Sequence, residues 1–148
     1  MNKYQKVSLF LLRISLGWLM FYAGITKVLD PSWSALGYLK GAKILTGFYG
    51  FLIRPEILPC INFVNEWGLT LLGVSLILGV GIRFSAILGS LLMLLYYLPI
   101  LDFPYPDPHS FIVDDHIIYI SGLLILASFR AGNIWGLGHI KIKNFSLS

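Results

Sequence analysis

INFVNEWGLTLLGVSLILGVGIRFSAILGSLLMLLYYLPIL, residues 61–101, decides the fold. It reads as two apolar runs, 61–82 and 84–101, joined at Gly81 and Arg83. At about 1.5 Å per helical residue, each run is long enough to cross a hydrocarbon core of roughly 30 Å. Neither run alternates as a half-buried strand would. The pair is therefore a helical hairpin written for a bilayer.

Outward from this hairpin, the rest of the chain repeats the theme. Residues 7–29 form an earlier apolar run behind Lys3 and Lys6. That run exceeds a usual signal-peptide core and lacks an A-x-A cleavage pattern, so it is read as a retained helix. It ends at Asp30-Pro31, because proline disfavours helix in the residue before it. Residues 102–109 (DFPYPDPH) hold three prolines and cannot be helix. A last apolar run, 111–129, follows Ser110, the expected N-cap. The whole chain of 148 residues is 57% hydrophobic and 12% charged, with a mean hydropathy of +0.79. Soluble domains carry about a quarter charged residues. The fold class expected is an all-α membrane protein, a single domain of four transmembrane helices.

The segment 31–59 between the first two spans is too apolar for an ordinary loop. Ala35, Tyr38, Ala42, Leu45, Tyr49 and Leu52 recur at steps of three and four, and Gly37, Lys40, Lys43 (or Gly47), Gly50 and Arg54 follow a second stripe. An amphipathic helical segment on the membrane surface, broken at its glycines, fits this pattern. Lysines and arginines set the orientation. Lys3, Lys6, Arg83, Arg130, Lys141 and Lys143 share one side, whereas the loop at 102–110 has none. Both termini, including a tail at 130–148, are thus expected in the cytoplasm of a plasma-membrane protein. Lys40, Lys43 and Arg54 run against that bias.

One cysteine, Cys60, excludes an intrachain disulfide and any CxxC redox pair, and is expected as a buried small hydrophobe. The net charge of +4 records topology and does not point to nucleic acid. His109 and His139 fall on opposite expected sides of the membrane, so no haem or metal is expected.

Several segments, read in order, resemble DoxX/DoxD proteins: LGWLMFYAGITKVLDP at 16–31, YLKGA at 38–42 and NEWGLTLLGVSLILGVGIRFSAILGSLLMLLYYL at 65–98. VDDHIIYISGLLILA at 113–127 and AGNIWGLG at 131–138 complete the likeness. The resemblance implies a small membrane subunit of a respiratory complex. The DoxD-like branch implies thiosulfate:quinone oxidoreductase, working with a DoxA-like partner subunit.

Ionisable side chains inside a span cost about 2.5–3.5 kcal/mol each on insertion scales. Lys27, Glu66, Asp115 and His116 fall at one depth on three helices, so a shared site is expected there. Its catalytic residues would be Glu66, Asp115 and His116. Quinone or quinol would be held by Lys27, Glu66, Trp67, His116 and Tyr119, since quinone chemistry needs hydrogen-bond partners and proton exchange. A second stripe, Arg13, Gly17, Met20, Gly24 and Lys27, marks a face of the first helix turned into the bundle, where glycines let helices approach. Arg13 is expected to snorkel or to close a bundle contact.

Two bland readings stand beside the site. Lys27 with Glu66 or Asp115 would serve as an ion pair fixing helix register. Trp67 and the tyrosines would form an interfacial belt. The function expected is a quinone-binding membrane subunit anchoring a redox partner. Its rivals are a non-catalytic assembly subunit and a small proton-coupled transporter.

Overall fold

The structure, a computed structural model, describes residues 1–139. Lys141 and Lys143, and the expectations resting on them, lie outside the described residues. Helix α1 spans Lys3–Val28, α2 Leu36–Lys40, α3 Thr46–Leu52, α4 Leu58–Leu78, α5 Ile82–Ile100 and α6 Asp115–Ser128. Two 3-10 turns follow, at Ala131–Asn133 and Leu137–His139. Among the described residues there is no β-strand, only isolated bridges within the loop at 102–110. Helices α1, α4 and α5 are long and apolar enough to cross a membrane, while α6 is a shorter apolar helix.

Local chemistry sets the helix ends. A capping box starts α1. Asn2 Oδ1 accepts from the Gln5 N–H at 2.9 Å, and Gln5 Oε1 accepts from the Asn2 N–H at 2.9 Å. The α4–α5 turn falls at Gly79 and Gly81, both at positive φ (76° and 62°). Glycine takes that conformation freely, so α4 stops four residues before the expected boundary. Helix α6 starts at Asp115 and not at Phe111. Asp114 Oδ1 accepts from the backbone N–H groups of His116 (3.0 Å) and Ile117 (3.3 Å). Those bonds make Asp114 the N-cap in place of Ser110.

The four longer helices pack as two antiparallel pairs, α1 with α4 and α5 with α6, closed into one bundle. In the first pair the backbones touch. A Cβ on Gly24 would lie 2.4 Å from the Thr70 nitrogen, and one on Gly73 only 2.3 Å from the Phe21 nitrogen. Side chains of Met20, Leu76, Ala86, Leu123 and Leu126 are wholly buried between the pairs. The expected inward stripe on α1 holds, with Arg13, Gly17, Met20 and Gly24 all buried.

Outside this core the bundle is coated with apolar side chains. Leu11, Trp18, Phe63, Trp67, Leu71, Phe84, Leu91 and Leu124 are all exposed. A surface this apolar needs lipid as its solvent. Cys60 joins that outer surface, which corrects the expectation that it is buried. The buried stripe of α4 runs through Asn65, Leu69, Thr70, Gly73 and Leu76, and Cys60 falls off its period.

Segment 31–59 folds as α2 and α3 with a break after Gly41. Ala35, Leu39 and Tyr49 form a small core with Trp33, Leu52, Ile61 and Leu98, while Lys40, Lys43 and Arg54 stay largely outside it. Leu45, expected on the apolar face, is exposed and takes a left-handed backbone (φ 52°). Pro99 inside α5 explains how this segment is anchored. Proline has no N–H, so it cannot satisfy the carbonyl four residues back, that of Leu95. The Tyr49 hydroxyl donates to that carbonyl at 3.1 Å, and the Tyr38 hydroxyl donates to the next one, of Tyr96. The Lys43 N–H closes on the Pro99 carbonyl at 3.1 Å. Lys43 also pairs with Asp102 at 2.7 Å, an exposed contact worth about 0–1 kcal/mol. Tyr49→Phe leaves a carbonyl unpaired and is expected to cost about 1–3 kcal/mol, read as a lower thermal midpoint in detergent.

Candidate functional site

The α2–α3 segment closes one end of the bundle over a cavity of about 400 Å³. Every longer helix contributes to it: Lys27 from α1, Asn65 from α4, Tyr96 from α5 and His116 from α6. Trp33, Tyr38, Leu39, Tyr49 and Leu52 form the cap side, and Ile61, Val64, Leu92, Leu95 and Ile100 complete mostly apolar walls. Small-molecule sites usually enclose about 300–1,000 Å³ with a few convergent polar groups, and this cavity fits that description.

The polar groups are held from behind. Asp114, already the cap of α6, turns its second oxygen to His116, with Oδ2 2.6 Å from Nδ1. A carboxylate only accepts, so Nδ1 carries the proton, and Nε2 has no hydrogen-bond partner among the described residues. The His116 ring meets Tyr96 and Tyr119 edge-on, with centroids 6.3 and 6.4 Å away. Tyr96 donates its hydroxyl to Asn65 Oδ1, and Asn65 Nδ2 donates to the Ile61 carbonyl at 2.7 Å. This fixes which way the Asn65 amide faces. Lys27 donates to the Ala23 carbonyl at 2.7 Å, and its ammonium sits 5.4 Å from the centre of the Trp33 ring. A ring face and a carbonyl stabilise that cation without neutralising it.

Of the residues expected from sequence, Lys27 and His116 line the cavity. Tyr119 packs beside His116 behind the lining. Glu66 is half-buried on α4 outside the lining, Asp115 is exposed, and Trp67 is 41% exposed beside Phe63 on the lipid side. No ion pair joins Lys27 to Glu66 or Asp115; among the described residues Lys43 pairs with Asp102, and Asp114 with His116 through a hydrogen bond. Asn65, Trp33 and Tyr38 carry no charge to draw attention inside an apolar run. Asn65 is nonetheless findable, since it lies four residues before Leu69 on the buried stripe of α4. Asp114 stands next to Asp115 in sequence, and only the folded turn brings its second oxygen to His116.

The far end of the bundle is closed by Arg13, whose side chain is fully buried. Nη1 donates to the carbonyls of Ala131 (2.8 Å) and Ile134 (2.9 Å), and Nη2 to that of Trp135 (3.2 Å). Gly79 and Gly136 press against the guanidinium, where a Cβ would come within 2.8 and 2.7 Å of Nη1. The expected bundle contact of Arg13 is thus a clamp on the AGNIWGLG segment.

No curated protein and no solved structure matches the chain. The family model described as DoxX matches residues 8–100, which takes in most of α1 and all of α2 to α5 and stops before Asp114 and His116. A match over more than half of the sequence, on the helices that build the cavity's walls and cap, makes this chain a member of the DoxX family.

Proposed function

We propose that the chain is a membrane subunit of a quinone-linked respiratory oxidoreductase and that its capped cavity receives the head of a quinone or quinol. The observation that carries this reading is the Asp114-held His116 facing Tyr96 and Lys27 across apolar walls. When bound, the quinone–quinol couple supplies a carrier of two electrons and two protons. The chain's part is to orient and to exchange protons. His116 Nε2 accepts a hydrogen bond or a proton, and Asp114 stabilises the imidazolium that results. Lys27, which has no carboxylate partner among the described residues, offers positive charge to a quinone carbonyl oxygen.

In this proposal α6 makes the fourth crossing, continued by residues 111–114, and α2–α3 lies in the membrane interface. Both termini then face the cytoplasm of the plasma membrane, as Lys3, Lys6, Arg83 and Arg130 at that end favour. Electrons come from a partner subunit, DoxA-like if the donor is thiosulfate.

Quinone extraction from gently purified protein tests the reading. Stoichiometric quinone is expected with the native chain. Loss of one hydrogen bond to the head in His116→Ala should weaken retention about tenfold. Equal retention by both proteins would favour a non-catalytic assembly role.

A further inference from the structure

The two ends of the bundle differ in charge, the capped half mixing Lys27, Lys40, Lys43 and Arg54 with carboxylates. All seven Asp and Glu residues lie in the capped half or its loops, whereas Lys3, Lys6, Arg83 and Arg130 gather at the other end. There an open cleft of about 410 Å³ lies between the α4–α5 turn and the 3-10 turn that follows α6. Arg83, Arg130 and Asn133 line it, with Phe84 at its edge and no carboxylate in its lining. Neither arginine has an ion-pair or side-chain hydrogen-bond partner among the described residues. The cleft's floor is backbone in contact with backbone. A Cβ on Gly132 would lie 2.7 Å from the Gly79 carbonyl oxygen, and one on Gly138 2.5 Å from the same atom.

Arg130 is also set apart by its backbone. It follows the α6 C-cap Phe129 and takes a left-handed backbone (φ 48°), the position that glycine fills at least cost. Glycine there would relieve the backbone and remove the charge in one substitution. Phe84 in the lining is 70% exposed and gives the cleft an apolar margin. A ligand that pairs an anionic head with an apolar tail matches this arrangement better than a free anion does.

We infer that this cleft binds the phosphate of an anionic phospholipid, with Arg83 and Arg130 supplying the charge and Asn133 an amide donor. Basic pockets between helix ends are the expected receptors for such headgroups. The test titrates the full chain in neutral detergent with phosphatidylglycerol, phosphatidylcholine of the same acyl chains, or inorganic phosphate. Bound lipid is read by native mass spectrometry and stability by thermal unfolding. Phosphatidylglycerol should bind selectively and raise the midpoint. Arg83→Gln and Arg130→Gly should each weaken it about fivefold, the factor that goes with one basic group at an anionic surface. Arg130→Gly should melt no lower than the native protein without lipid, since glycine relieves the backbone, so lost binding is not lost folding. Lys3→Gln, at the same end but outside the cleft, should bind as the native chain does. Equal binding of the two lipids, or an equal loss in Lys3→Gln, would overturn the inference. Displacement of phosphatidylglycerol by inorganic phosphate, with the same protection, would overturn the lipid assignment in favour of a soluble phosphate ligand.

Discussion

Gly73→Leu is expected to prevent assembly of the bundle, leaving no monodisperse species on size exclusion in mild detergent. Lipid tails are as apolar as leucine, so helices in a bilayer gain by close packing and not by escaping water. At Gly73 that closeness is complete. The atoms a Cβ would meet are the nitrogen and Cα of Phe21, at 2.3 and 2.6 Å, and the carbonyl oxygen of Gly17 at 2.7 Å. All are backbone and cannot rotate away, so α1 and α4 must separate along the faces that bury Met20, Leu69 and Leu76. Even Gly73→Ala should cost about 1–3 kcal/mol, the usual penalty for over-packing. Gly47→Ala, where a Cβ meets nothing within 4 Å, is the matched control and should behave as the native protein. A native melting profile for Gly73→Leu would show that α1 and α4 are not packed as described.

Arg13→Ala is expected to release the segment after α6 and to cost about 3–5 kcal/mol, the range for removing one partner of a buried charged contact. Three carbonyls, those of Ala131, Ile134 and Trp135, lose their donor at once. The shape of the guanidinium matters as well as its charge. Its two terminal nitrogens reach carbonyls spread over residues 131–135, and its central carbon lies 5.3 Å from the Phe10 ring centre. Arg13→Lys keeps the charge but has one nitrogen, so it should recover only part of the loss. Limited proteolysis reads the outcome, with cleavage after Phe129 or Arg130 expected in Arg13→Ala and protection in the native chain. Unchanged protection and midpoint in the alanine variant would remove the clamp from the account.

How much of this is legible in the sequence depends on the kind of signal. Long apolar runs and the Asp30-Pro31 stop place α1, α4 and α5 to within a few residues, because length and hydropathy are what a bilayer selects. The α1 stripe is legible too, since glycines spaced two turns apart on one face have few uses other than close approach. The start of α6 is ambiguous because Ser110 and Asp114 are both able caps, and only Asp114 has the helix N–H groups within reach. The site is half legible. Charge picks out Lys27 and His116, but equal depth along three helices does not establish equal azimuth. Glu66 and Asp115 share the expected level and still fall outside the cavity lining. Asn65, Tyr38 and Trp33 stay hidden because the cavity is made by folding α2–α3 back over the bundle end. That geometry depends on Pro99 freeing a carbonyl for Tyr49, a long-range pairing no local period encodes.

Photo-crosslinking would locate a quinone head in the capped cavity. The full chain in lipid vesicles would be labelled with an azido-quinone analogue and the adducts mapped by peptide mass spectrometry. Labels within residues 33–52, 92–100 or 116–119, competed away by excess native quinone and reduced in His116→Ala, are the expected result. Labelling confined to lipid-facing residues such as Trp18 and Trp67, indifferent to competition, would contradict it.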